Sequence, residues 1–128
     1  MFQEHSLKRA VAGTGALVDI SGSWTNELGS VVTFTQVANV LSGTYVSAVS
    51  SDGTTTVGDV RGYTDGALIS FAVHWRDFQA ITAWVGQIKP GTNNNTIVTL
   101  WQMTKATDPG EEWASINAGT DTFTRNAR

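Results

Sequence analysis

From Ile20 onward the chain alternates apolar and polar residues with period two, in short runs broken by turn-forming residues. Such alternation places successive side chains on opposite faces of a strand. No stretch carries a convincing 3.6-residue apolar repeat of the kind an amphipathic helix needs. Eight segments have strand length and pattern: GSWTNEL, SVVTFTQV, LSGTYVSAV, VGDVRGY, ALISFAVHW, ITAWVGQI, TIVTLWQMT and GTDTFTR. Their separators are turn chemistry: Leu28-Gly29, Ala38-Asn39, Asp52-Gly53, Asp65-Gly66, Lys89-Pro90-Gly91 with the asparagine run 93–95, and Asp108-Pro109-Gly110. One short helical turn fits within residues 110–118. The expected fold is all-β, an antiparallel meander.

A chain of 128 residues suits one domain. Residues 1–19, with Lys8 and Arg9 followed by small and apolar residues, read as an N-terminal tail, flexible or appended, and residues 20–128 as the folded unit. The Gly13-Thr14-Gly15 triplet in that tail lacks the strand, third glycine and lysine of a phosphate loop. The formal charge is −3 with eight basic residues and no basic cluster, which argues against nucleic acid and acidic membrane surfaces as partners. No apolar run reaches the roughly 18 residues of a membrane helix. The absence of cysteine removes disulfides, thiolate nucleophiles and cysteine-based zinc sites. His5 and His74 lack metal-ligand spacing, so no metal is expected.

Face assignment raises the functional question. Ile69, Phe71, Val73 and Trp75 share one strand face, which must point inward. Asp121 shares a face with Phe123, so an inward phenylalanine brings a carboxylate inside with it. Other ring-bearing faces are mixed in the same way: Trp24 with Asn26 and Leu28, Tyr45 with Ser47 and Val49, Thr82 with Trp84, and Trp101 with Met103. A plain β core keeps polar atoms out. A closed barrel of about eight strands is wide enough to hold one small ligand, and convergent polar groups among aromatic walls are what such a pocket requires.

The segments GSWTNELGS (22–30), SGTYVSAV (42–49), TAWVGQ (82–87), TLWQMT (99–104) and GTDTFTR (119–125), with the Val73–Trp75 strand end, resemble in order and spacing the successive strands of the avidin and streptavidin family. All five tryptophans, Trp24, Trp75, Trp84, Trp101 and Trp113, fall where streptavidin-like proteins have one. The resemblance implies an eight-stranded antiparallel up-and-down β-barrel that binds biotin without a further cofactor, secreted or periplasmic. It implies that Asn26, Ser30 and Tyr45 donate to the ureido oxygen. Ser47 and Asp121 would accept from the two ureido N–H groups, with Thr82 at the ring sulfur. Trp75, Trp84, Trp101 and Met103 would wall the ring and tail. Val49 and the Ser51 backbone would belong to a loop over the site. Trp113 would reach across an interface to a neighbouring subunit's ligand, as in the tetrameric members, which implies a homotetramer.

Two departures bear on the tail of the ligand. Ala80 stands where streptavidin has a serine contacting the biotin carboxylate, and the loop SSDGTTTV at 50–57 is slightly longer and carries Asp52. A weaker carboxylate end is therefore expected. Two other functions compete with biotin sequestration. A lipocalin-like carrier of another small cyclic molecule would use the same barrel, but the Asn26, Ser30, Tyr45, Ser47 and Asp121 set suits a cyclic urea and would be wasted on a lipid. An enzyme with Asp121 as general base would need a companion nucleophile or second inward carboxylate, and the sequence offers neither.

Overall fold

The computed structural model describes residues 2–48 and 53–127. Eight strands, β1 (Gly22–Asn26), β2 (Val31–Val37), β3 (Val40–Val46), β4 (Val57–Asp65), β5 (Leu68–Trp75), β6 (Ala80–Ile88), β7 (Thr96–Lys105) and β8 (Ile116–Arg125), pair antiparallel in sequence order. β8 pairs back onto β1, which closes the barrel. Every segment with the period-two pattern becomes a strand, because a closed sheet lets one face of each strand be buried and leaves no edge unpaired.

The boundaries differ from the sequence pattern most tellingly at β1, β3 and β8. β1 stops at Asn26, because its side-chain Oδ1 accepts the N–H groups of Leu28 (3.0 Å) and Ser30 (2.9 Å) and turns the chain. Gly29 completes that turn at φ +91. Leu28, which strict alternation would carry inward with Asn26, is consequently exposed. β3 ends at Val46, and Ser47 continues only by donating its N–H to the Thr56 carbonyl. The helical turn is confined to a 3₁₀ turn at Glu112–Ala114, and β8 starts at Ile116, ahead of the GTDTFTR segment.

Inside the barrel, Trp24, Val32, Phe34, Leu41, Val60, Ile69, Phe71, Val73, Ile88, Ile97 and Phe123 form one buried cluster. Burying each large apolar side chain contributes about 1.5–3 kcal/mol. One end is sealed by the segment that precedes β1. Ile20 is buried there and Val18 packs against the core. The Gln36 side chain accepts from the Ile20 N–H and donates to the Val18 carbonyl, and the Gly15 N–H donates to Asp65. Trp24 donates its indole N–H to the Ile20 carbonyl at 2.9 Å, with the Arg125 guanidinium 4.3 Å from its ring centroid. Ahead of this segment, a short helix α1 (Gln3–Leu7) buries no residue.

Candidate functional site

The opposite end of the barrel carries the polar interior. Asn26, Ser30, Tyr45, Thr82, Trp84 and Asp121 are all buried there, and Trp101, Met103 and Ser47 are half-buried. The structure therefore places the predicted residues of β1, β3, β6, β7 and β8 on inward faces of one end. Val49 and Ser51 lie outside the described residues.

Within this cluster the polar groups answer one another. Asn26 does two jobs: its carbonyl caps the β1–β2 turn, which orients the amide so that its N–H₂ donates to the Tyr45 hydroxyl at 3.3 Å. Trp84 donates its indole N–H to Asp121 Oδ2 at 2.8 Å, and Trp75 donates to the Thr82 hydroxyl at 3.0 Å. The Ser30 hydroxyl oxygen accepts from the Ala48 N–H, and that of Ser47 from the Thr56 N–H, each at 2.8 Å. Since each serine oxygen is held as an acceptor, its own proton points elsewhere, that of Ser30 toward Tyr45. Among the described residues no buried side-chain polar atom lacks a partner.

The rings build the walls around these groups. Tyr45 stacks on Trp84 with centroids 4.9 Å apart and meets Trp75 edge-on at 5.4 Å, and Phe71 stacks on the far side of Trp84 at 4.8 Å. Two glycines make the arrangement possible. Gly119 sits opposite Trp101 across β7 and β8, and a Cβ there would lie 2.6 Å from the indole. Gly58 sits opposite Trp75, where a Cβ would lie 2.2 Å from the Val73 side chain and 3.2 Å from the Trp75 ring. Each indole thus lies across the backbone of the neighbouring strand. Sequence reading missed both glycines, although a glycine inside a strand pattern signals close approach of something bulky.

Charge inside the barrel is arranged asymmetrically. Burial raises the pKa of Asp121 above the ordinary carboxylate range, opposed by the Trp84 N–H bond and reinforced by the Glu27 carboxylate. Glu27 itself accepts the Thr122 N–H at 2.8 Å and is shifted down; burial pulls it the other way but is outweighed by this and further hydrogen bonds, including one to Asp121. Burial holds the Tyr45 phenol far above its usual value, with the Asp121 and Glu27 charges adding to the effect and a Ser30 hydrogen bond opposing it. Tyr45 is therefore a neutral donor at neutral pH. The end consequently offers neutral donors (Asn26, Ser30, Tyr45) on one side and an ionisable acceptor (Asp121) on another, within one aromatic enclosure.

A cavity of about 340 Å³ opens at this same end, lined by Ser47, Thr56, Trp75, Phe78, Gln79, Ala80, Met103, Lys105 and Ala106. Trp75 is the shared wall, since it faces this cavity and also contacts Tyr45 and Thr82 behind it. A wider depression of about 790 Å³ lies at the sealed end, lined by Leu17, Asn93–Asn95, Arg125 and neighbours, and touches none of the predicted residues. We place the functional site at the end on which the first opens, because the buried donors and acceptors lie at that end behind Trp75, although Asn26, Ser30, Tyr45 and Asp121 do not themselves line the cavity. Trp113 is apart from both, 85% exposed in its 3₁₀ turn. His74 faces outward, and no group of three or more His, Cys, Asp or Glu residues able to hold a metal occurs among the described residues.

The avidin family profile matches residues 15–126. The chain belongs to the avidin family. Afifavidin of Afifella pfennigii is 34% identical over 111 residues, a match covering 82% of this chain and 68% of that one. The crystal structure of xenavidin superimposes with a TM-score of 0.71 at 27% identity, over 87% of this chain and 100% of that one. The X-ray structure of a biotin binding protein from chicken gives 0.69 at 26% identity, over 85% and 97%. Avidin-family proteins bind their ligand without transforming it. The family match begins at Gly15, where the segment sealing the barrel makes its first hydrogen bond to β4.

Proposed function

We propose that this protein binds biotin tightly and without covalent chemistry, in the polar end of its barrel. The observation that carries the proposal is the buried set of Asn26, Ser30 and Tyr45 as neutral donors facing Asp121 as acceptor, enclosed by Tyr45, Trp75 and Trp84. A cyclic urea has the complementary shape, one strong acceptor oxygen flanked by two N–H donors. In this reading Asn26, Ser30 and Tyr45 donate to the ureido oxygen, and Ser47 and Asp121 accept from its two N–H groups. Thr82 meets the ring sulfur, and Trp75, Trp84, Trp101 and Met103 enclose the ring and chain.

Preorganisation supports high affinity. The donors and acceptors already engage one another, so the ligand replaces existing hydrogen bonds and orders few side chains. We further propose a homotetramer in which Trp113 of one subunit covers the ligand of its neighbour; an indole left 85% exposed on a short turn is consistent with burial in an assembly. The outward-facing Val85, Val98 and Leu100 of β6 and β7 add apolar surface for such contacts. Export to the extracellular space or periplasm follows from the same family reading.

Calorimetric titration with biotin, followed in parallel by tryptophan fluorescence, tests the proposal. The expected result is saturation near one biotin per chain with a perturbed indole signal. Absence of both heat and fluorescence change would refute it.

A further inference from the structure

Alternation along β7 continues past the ring-bearing residues. Ile97, Thr99, Trp101, Met103 and Lys105 share the inward face, and Lys105, the last residue of the strand, is half-buried. Its partner in the register is Ala80, the first residue of β6. Side chains directly opposed across antiparallel strands have Cβ atoms about 4.5–5.5 Å apart. The ammonium-bearing side chain thus stands beside the position where the hydroxyl expected at the ligand's tail is missing.

Three observations give this lysine a role beyond solubility. It lines the 340 Å³ cavity together with Ala80 and Met103. The remaining lining, Trp75, Phe78, Ala106 and the neutral Ser47, Thr56 and Gln79, contains no other charge. Among the described residues the one ion pair is Arg76–Asp59, so Lys105 has no carboxylate partner there. A largely apolar channel that carries, among the described residues, one cation without an ion pair matches an aliphatic chain ending in an anion. An ammonium gives a charge-assisted bond to a carboxylate, stronger than a serine hydroxyl would give.

Resting on the biotin reading above, we propose that Lys105 is a specificity-determining residue that binds the free carboxylate of the ligand tail and makes the site discriminate against uncharged tails. The carboxylate end is then rebuilt on β7 where β6 has lost its hydroxyl. Biotin whose carboxylate has been consumed by amide or ester formation would be held less tightly than the free acid.

The test compares biotin with biotin methyl ester, identical in ring and chain, by displacement titration on the full chain and on K105M and K105R. K105M keeps the length of the apolar stem and removes the charge. The parent protein is expected to favour the free acid by roughly tenfold to a hundredfold. K105M should lose most of that ratio with the ester affinity unchanged, K105R should keep most of it, and added salt should narrow the ratio in the parent more than in K105M. An acid-to-ester ratio equal in the parent and K105M would overturn the inference and leave the ring site standing. Failure of both probes to bind the parent would overturn the biotin reading together with it.

Discussion

The two ends of this barrel are built from the same strands and the same alternation, yet they are filled differently. At the sealed end the inward stripe is Trp24, Ile69, Ile88, Ile97 and Phe123, capped by Ile20, with the polar handles of Trp24 and Thr64 donating to backbone. At the other end the stripe is Asn26, Tyr45, Thr82, Trp84 and Asp121, where backbone bonds to Asn26, Ser30 and Ser47 are joined by hydrogen bonds that run from side chain to side chain. Side chain to backbone bonds fix a fold, because the backbone carbonyl cannot be displaced without unpairing it. Bonds between side chains can be exchanged for bonds to a ligand at little net cost. On the proposed reading one end supplies stability and the other recognition, and substitutions should separate the two.

The largest expected effect is on the sealed end. Ile97, opposite Ile88 and Phe123, is 1% exposed. Ile97→Ala should cost about 2–5 kcal/mol of unfolding free energy in urea titration, while the affinity of the folded protein for biotin stays within a few-fold of the parent. A comparable loss of affinity would show that the ends are not separable.

At the polar end the signs reverse. Asp121→Asn removes the ionisable acceptor and should weaken biotin binding by about 1.5–3 kcal/mol, the worth of a hydrogen bond to a charged group. Its unfolding free energy at neutral pH should be no lower than the parent's, because burial already disfavours the charge that is removed.

A smaller, pH-dependent effect sharpens the comparison. A carboxylate with a raised folded-state pKa binds its proton before the unfolded chain does as pH falls, so Asp121 adds stability as pH drops through that raised value. Glu27, shifted down, contributes stability above the unfolded value that is lost as pH falls through its folded pKa. In the proposed binding mode Asp121 must be ionised to accept from the ligand. Affinity should accordingly decline in the pH interval just above the ordinary aspartate value of about 3.9, before the protein unfolds. Glu27→Gln removes a charge that raises Asp121 and should move that decline to lower pH in fluorescence titrations; an unmoved midpoint would detach Glu27 from the site.

Much of this was legible in the sequence for one reason: period-two alternation assigns every strand residue to a face. The inward positions of Phe71, Trp75, Trp84, Phe123 and Asp121 follow from it directly. The rule failed at Leu28, where the Asn26 side chain ends the strand, and that local hydrogen bond is not a periodic feature. Gly58 and Gly119 escaped because a glycine has no side chain to place on a face, and its role as the seat of an indole exists only across the register. Lys105 is the instructive case. Counting from Trp101 and Met103 puts it inside, but residue type suggests solvent, and only the pairing with Ala80 settles its neighbourhood. Residues 15–20 gave no periodic signal either, and their place over the sealed end depends on Gln36 and Asp65, distant in sequence.

The most direct test of this division is the rise in melting temperature produced by saturating biotin, measured on the parent, Ile97→Ala and Asp121→Asn. Ligand stabilisation depends only on affinity for the folded state at fixed ligand concentration. Ile97→Ala should melt lower without ligand and still show a biotin-induced rise close to the parent's, whereas Asp121→Asn should melt near the parent without ligand and show a reduced rise. A full rise in Asp121→Asn, or none in Ile97→Ala, would contradict the separation of the two ends.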